Sequence, residues 1–566
     1  MGGNVMNKKS IGILAAVVVI VCAAVFGGIY ATRNIGKSEK KITQESAVNR
    51  LEKMVKKIEP RTAQPVKSPI EYDAAEDEAA ELPDIDTCPV GVEAVTPLYA
   101  EIYSSPEKAG TGTDGWLCEM AEEFNQQGYE VNGQPVSVKV RKVNSGQALD
   151  YIATGKAVPE GYAPSSMLWV NMLNARGVTT ETVAERMVGN VAGILLSEKT
   201  HKQIVEKYGS VDLKAITEAT EAGEFAMGYT NPFASSAGLN FLVCTLERYD
   251  LGNPLSETAM EGFRKFQKNV PFVALTTMQM RDAAENGSLD GFIMEYQSYV
   301  NDTILSRNYK FTPYGYRHDN PLVSIASASQ EKKDILNLFA EYCASDNAKK
   351  RAEEYGFNAM NDYICEYEEV SGDILVAAQK LYKTNKDSGR PVIGVFVTDV
   401  SGSMAGEPLQ ALQESLINSM KYINTQNYIG LVSYSDEVVI ELPIQEFNLE
   451  QQTYFKGAVE HLSATGGTAT FDGICVALDM IRELMDQYPD AKPMLFVLSD
   501  GETNTGYGLN DIRDVLSGMK IPVYTIGYNA DLAALESISS VNEAASIDAS
   551  TDDVVYQLKI LFNANM

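Results

Sequence analysis

The run Pro391-Val-Ile-Gly-Val-Phe-Val-Thr-Asp399-Val-Ser401-Gly-Ser403-Met constrains this chain more than any other segment. A continuous apolar stretch of that length fits the central strand of a parallel sheet buried on both faces. The polar cluster then falls at the strand's C-terminal end, where open α/β sheets place their ligand sites. Glu407 to Asn424 follows with Leu409, Leu412, Leu416, Met420 and Ile423 at the spacing of a helix packed on that sheet. Tyr428 to Leu442 reads as a strand pair around a Ser435-Asp436-Glu437 turn, and Thr465-Gly466-Gly467-Thr468-Ala469-Thr470 opens a helix over Phe471 to Tyr488. Met494 to Gly501 is a second buried strand, ending in Asp500, and Ile521 to Tyr528 a third. The alternation predicts β-α-β units with parallel crossovers.

Asp399, Ser401, Ser403, Thr468 and Asp500 thus bring oxygen-bearing side chains from three element ends to one edge of the sheet. Such a set can surround a hard cation, and magnesium prefers near-octahedral oxygen at about 2.0 to 2.1 Å. Taken alone, Asp-x-Ser-x-Ser also describes an Asx or Ser turn. With Gly-Gly-Thr opening a helix and an apolar strand ending in Ser-Asp-Gly, residues 391 to 566 resemble the von Willebrand factor A family with its metal-ion-dependent adhesion site. The resemblance implies a Rossmann-like, doubly wound, mostly parallel sheet. It also implies Mg2+, or else Mn2+ or Ca2+, held directly by the hydroxyls and through water by the two aspartates. A metal so held keeps much of its charge and attracts a carboxylate from an acidic protein partner. After Ile526-Gly527-Tyr528, Ser546-Ile-Asp-Ala-Ser-Thr-Asp-Asp leads into a last helix over Val554 to Phe562, where family members often have a glycine-rich ending.

From Cys88 to Tyr367 strand and helix patterns alternate again. Val136 to Val143 has the period of a strand, while Gly115 to Gln127 and Gln330 to Tyr355 have the period of amphipathic helices. Ser104-Ser105, Asn144-Ser145-Gly146, Ala163-Pro164-Ser165-Ser166, Tyr229-Thr230-Asn231-Pro232, Ser235-Ser236-Ala237-Gly238, Glu295-Tyr296-Gln297 and Gly356-Phe357-Asn358 resemble landmarks of bacterial extracellular solute-binding proteins of the two-lobed, type II periplasmic-binding class. That class implies a two-lobed α/β domain whose chain crosses between lobes twice, with ligand in the cleft. Ser104, Ser105, Ser145, Ser166, Ser235 and Tyr296 are the implied contacts to a small-molecule or anionic ligand. Helix N-termini, with their unpaired N–H groups, favour an anion. The bland alternative for each serine is a helix or turn cap. Gly110-Thr111-Gly112-Thr113-Asp114-Gly115 satisfies G-x-G-x-x-G but does not leave a strand directly, so it is read as a helix start capped by Thr113 or Asp114 and not as a dinucleotide site.

Between Ser10 and Thr32 the chain carries no charge, and Ile11 to Ala31 as a helix would reach about 31 Å, close to the thickness of a bilayer core. The expected organisation is a cytoplasmic N-terminus (1–10), a transmembrane signal anchor (11–31), a juxtamembrane helix and acidic linker (32–87), the two-lobed domain (88–370), a linker (371–390) and the A-type domain (391–566). A cleaved signal peptide is the alternative for 11–31. Leu51, Met54, Val55 and Ile58 mark the juxtamembrane helix, and Glu71 to Asp86 carries eight carboxylates. Lysines and arginines flank the apolar run on both sides, so the resemblance to an extracytoplasmic family decides the orientation. Seven scattered cysteines and three isolated histidines do not describe a zinc site or a disulfide scaffold, although Cys343 to Cys365 is a conceivable bridge. A net charge of -29 argues against nucleic acid as a partner.

Neither a P-loop nor a nucleophile elbow is present, and the site is expected to bind without turnover. The leading expectation is a membrane-anchored extracytoplasmic binding or adhesion protein, not an enzyme. The alternatives are a solute receptor of a transport system and an accessory partner of a chelatase or ATPase complex.

Overall fold

The computed structural model describes residues 43–70, 82–270, 273–274, 280, 289–501, 503–528, 546–548 and 554–566. The apolar run 11–31 and most of the acidic stretch lie outside these, so the expected membrane span and linker do too. No helix among the described residues is long and apolar enough to cross a membrane.

The described chain begins with helix α1 (Gln44–Ile58), capped by the Thr43 hydroxyl, followed by strand β1 (Arg61–Thr62). The two-lobed region comes next. Strands β2 (Val90–Val92), β3 (Leu98–Ser104), β4 (Glu130–Val131), β5 (Gln134–Lys142), β6 (Gly161–Ala163) and β7 (Thr180–Ala184) build the first sheet. The chain then crosses to a second sheet of β8 (Asn190–Ser197), β9 (Met227–Thr230), β10 (Val273–Ala274), β11 (Gly291–Glu295) and β12 (Tyr309–His318), and returns with β13 (Leu322–Ile325) to the first. The orders are β2-β5-β3-β6-β13-β7, with β4 paired to β5, and β10-β9-β11-β8-β12. Both crossings, between β7 and β8 and between β12 and β13, fall at the junction of the lobes.

Three expectations here need correction. The helix read over Gln330 to Tyr355 is two, α6 (Gln330–Cys343) and α7 (Asp346–Glu354), because the Ser345 hydroxyl caps a new start. The helix after the glycine motif, α2 (Trp116–Gln126), has Gly115 as its N-cap and no side-chain cap; Asp114 is instead held by the Gln297 amide. The six described cysteines are free thiols, so Cys343 and Cys365 do not pair.

The third sheet has the order β1-β16-β15-β14-β17-β18-β19, where β14 is Val392–Asp399, β15 Tyr428–Tyr434, β16 Val438–Glu446, β17 Lys492–Ser499, β18 Val523–Gly527 and β19 Ser546–Asp548. Only β15 and β16 run antiparallel, which makes the sheet mixed. Every residue of β14 is buried, as expected of a central strand covered on both faces. One face is covered by α9 (Glu407–Ser419), α10 (Leu449–Glu460) and the last helix, α13 (Val554–Asn565), through Leu412, Phe455 and Phe562. The other is covered by α11 (Thr470–Met485) and α12 (Leu509–Met519), and also by α1, whose Ala47, Leu51 and Met54 join the same apolar cluster as Ile474 and Val515.

The segment read as juxtamembrane is therefore part of the C-terminal domain. Its strand β1 pairs with β16, Ala63 N–H donates to Ile440 O at 2.9 Å, and Ser68 N–H to Thr453 O at 3.0 Å. Gly457 permits this: a β-carbon there would sit 2.0 Å from the Val66 carbonyl oxygen. The helical spacing of Leu51 and Met54 marked an apolar face, but the partner of that face is more than three hundred residues downstream.

The expected linker over 371–390 is also structured. Helix α8 (Gly372–Asn385) packs against α3 (Met167–Ala175) of the two-lobed domain, with Gly372 close against the Asn171 carbonyl. Beyond it, buried Lys386 donates to Phe562 O at 2.6 Å and Asn563 O at 3.1 Å, carbonyls at the end of α13. A cation there meets the negative end of a helix, yet burial still pushes the Lys386 ammonium down to about 7. Lys492 donates to Lys386 O, and Val273 N–H to the Asn565 side chain, so both domains share a buried polar junction.

Candidate functional sites

At the C-terminal ends of β14 and β17, neighbours in parallel register, the chain places two carboxylates side by side. Asp399 is fully buried. Its Oδ1 accepts Ser401 N–H at 2.8 Å, and its Oδ2 accepts the Ser499 hydroxyl at 2.6 Å and the Tyr434 hydroxyl at 3.3 Å. The Ser401 and Ser403 oxygens are 3.0 Å apart, and Ser403 donates to Asp500 Oδ1 at 3.0 Å. Four of the five expected residues thus form one hydrogen-bonded chain. Thr468 reaches the same edge through its loop: Thr465 N–H donates to Val400 O at 2.7 Å and Gly402 N–H to Gly466 O at 3.0 Å. Gly466 has φ +77, and a β-carbon there would meet Asp436 Oδ2 at 2.3 Å, so glycine is required on both counts.

Asn504 fixes Thr468 from the other side, accepting its N–H at 2.9 Å and donating to its hydroxyl at 3.4 Å. Asn504, Ser499 and Tyr434 were not singled out in the sequence; only the position of Ser499 beside Asp500 offered a signal. Among the described residues neither Asp399 nor Asp500 has a lysine or arginine partner. Burial holds the Asp500 carboxyl above its ordinary range, opposed by the Ser403 hydrogen bond and reinforced by the charge of Asp399. Two uncompensated carboxylates and three hydroxyls, all hard oxygen donors, fit a divalent cation such as magnesium.

A cavity of about 540 Å³ opens between the two lobes. Ser105, Ser145 and Ser235 line it, and so do Ser165, Ser236 and Thr230. The other three expected cleft residues do not. Ser104 is buried at the end of β3, its hydroxyl without a hydrogen-bond partner. Ser166 caps α3 by accepting Leu168 N–H, the bland role considered for it. Tyr296 starts α5 (Tyr296–Asn301) but faces a separate groove, with ring centroids 5.1 Å from Phe311 and 6.0 Å from Tyr299. Its neighbour Gln297 spans the lobes instead, donating to Thr113 O at 3.0 Å and Asp114 Oδ1 at 2.9 Å. Sequence reasoning passed over the cavity's carboxylates, Glu107, Asp114, Glu295 and Asp302.

The chain thus carries two α/β modules, with one candidate site at the strand ends of the C-terminal sheet and the other in the cavity between the lobes. Residues 395–558 match the von Willebrand factor type A domain and residues 109–358 the bacterial extracellular solute-binding protein family, so the chain joins a domain of each kind. The inter-alpha-trypsin inhibitor heavy chain H3 of Rattus norvegicus is 28% identical over 174 residues, 27% of this chain and 19% of that protein. The chain spans about a fifth of the length of the curated relatives it matches. Among solved structures, iron-bound HitA from Pseudomonas aeruginosa is 15% identical with a TM-score of 0.38, covering 52% of this chain and 100% of that one. A von Willebrand factor type A protein from Catenulispora acidiphila is 19% identical with a TM-score of 0.27, covering 31% and 43%.

Proposed function

We propose that this is a membrane-anchored, extracytoplasmic binding protein whose A-type domain captures an acidic protein partner through a divalent metal, while the two-lobed domain binds a small molecule in its cleft. The observation that carries the reading is the hydrogen-bonded row Asp399, Ser401, Ser403 and Asp500 on the edge of the central strands, without a lysine or arginine partner among the described residues. Ser401, Ser403 and Thr468 would hold Mg2+ with their hydroxyls, and Asp399 and Asp500 would orient its waters. The metal supplies residual positive charge for a partner's carboxylate. The protein residues hold the hydroxyl oxygens in place, and Asn504 and Gly466 fix the loop that carries Thr468.

Melting the full-length chain in chelator and in millimolar Mg2+ tests this. A ligand bound only by the folded state stabilises it by mass action, by about 2.7 kcal/mol at one hundred times the dissociation constant. The midpoint of the A-type domain is expected to rise with Mg2+ in the native chain and to stay put in Ser403→Ala. Equal shifts in both would refute the assignment.

A further inference from the structure

Resting on the cleft being a ligand site, we infer that its ligand is a small organic cation with N–H donors, an amine or a guanidinium compound. Carboxylates reach the cavity from both walls, Glu107 and Asp114 from the first lobe and Glu295 from the second, while Asp302 accepts the Ile304 and Leu305 N–H groups. Among the described residues no lysine or arginine lines it. Behind the first wall the fully buried Lys108 ammonium donates to Ser105 Oγ at 2.6 Å and Ala163 O at 2.8 Å and lies 4.0 Å from Glu107 Oε1, so it offsets that carboxylate and leaves Asp114 and Glu295.

The imidazole behind the second wall does not offset this charge. His318 is fully buried at the crossing between lobes, with Nδ1 3.6 Å from Glu295 Oε1 and without a hydrogen-bond partner. The Asn240 amide is fixed by the backbone of Tyr316, donating to its carbonyl at 2.7 Å and accepting its N–H at 2.9 Å. The Asn240 nitrogen therefore points at His318 Nε2, 3.1 Å away, as a donor. Nε2 accepts, the ring's single proton sits on Nδ1, and the imidazole adds no positive charge beside Glu295.

These walls repel each other across the cleft, and a cation between them relieves the repulsion where an anion would add to it. One feature narrows the cation. Among the described residues no aromatic ring lines the cavity, which a quaternary ammonium would need. Hydroxyls of Ser145 and Ser165 do line it and can accept from N–H groups, whereas Ser235 Oγ already accepts from the Thr230 hydroxyl and Gly238 N–H.

The test is calorimetric titration of the full-length chain, at physiological salt and with Mg2+ present, using agmatine, spermidine and sulfate as probes. Agmatine or spermidine is expected to bind, and Glu295→Gln to weaken it about tenfold, the scale of a lost charged hydrogen bond; Glu407→Gln, on the other domain, should leave it unchanged. Amine binding indifferent to Glu295→Gln would be general attraction to an acidic chain and would overturn the inference. Sulfate binding abolished by Ser145→Trp, which fills the cavity, would keep the cleft as a ligand site and overturn its charge. No binding of any probe would overturn the inference, and would count against the cleft reading as well if Ser145→Trp left the melting profile unaltered in concentrated periplasmic extract.

Discussion

Leu51→Ala is expected to lower the melting transition of the A-type domain by about 6 to 12 °C and to leave the two-lobed domain's transition in place. Leu51 has no exposed surface and lies in the cluster formed by α1, α11 and α12. A buried Leu→Ala change costs 2 to 5 kcal/mol, through lost burial and the cavity left behind. For a domain of this size each kcal/mol moves the midpoint by about 2 to 4 °C. The exposed ion pair from the same helix, Arg50 with Asp514 at 3.0 Å, is a useful control, since surface pairs contribute little and Arg50→Ala should shift the transition by much less. Calorimetry on the full chain separates the transitions. If residues 43–70 were a stalk independent of the domain, Leu51→Ala would move nothing.

The second large effect is on metal affinity. Asp399→Ala is expected to weaken Mg2+ binding about 100-fold, the upper range for groups that orient a metal's ligands through hydrogen bonds. The substitution removes the acceptor that holds Ser401 N–H and leaves the Ser499 and Tyr434 hydroxyls without their shared partner. Asp399→Asn keeps the shape and loses the charge, so it separates the two contributions: if charge dominates, the amide behaves like the alanine. Titration calorimetry with Mg2+ reads both. An affinity unchanged in Asp399→Ala would mean that the cation binds elsewhere.

How far the sequence could be read depended on whether the information was local. β14 announced itself because eight consecutive buried residues leave an apolar run that nothing else explains, and the polar residues that follow must then lie at the sheet's edge. Ser401, Ser403 and Asp500 meet there because parallel neighbours end together. Asn504 could not be foreseen, since its role depends on a loop that folds back onto Thr468. The N-terminal helix was legible as a helix but not as part of a domain, because periodicity identifies a face and not its partner. Lys386 and Asp387 looked like a polar tether, yet both are withdrawn from solvent at the junction, where the ammonium finds helix-end carbonyls. In the cleft, serines drew notice through resemblance, while the carboxylates beside them, spread from Glu107 to Asp302, become neighbours only when the two lobes face each other.

A run of contacts also links the cleft to the edge that carries Asp399. β10 pairs with β9, whose end leads into the loop of Thr230 and Ser235, and the backbone of Val273 in β10 meets Asn565 at the end of α13. The same helix buries Phe562 against the sheet that carries Asp399.

The central claim, that this edge is a metal site, is tested most directly by anomalous diffraction from crystals of the chain grown with Mn2+. The account predicts an anomalous peak about 2 Å from the Ser401 and Ser403 hydroxyl oxygens, with Thr468 beside it. A peak confined to surface carboxylates, with only water among Asp399, Ser403 and Asp500, would contradict it.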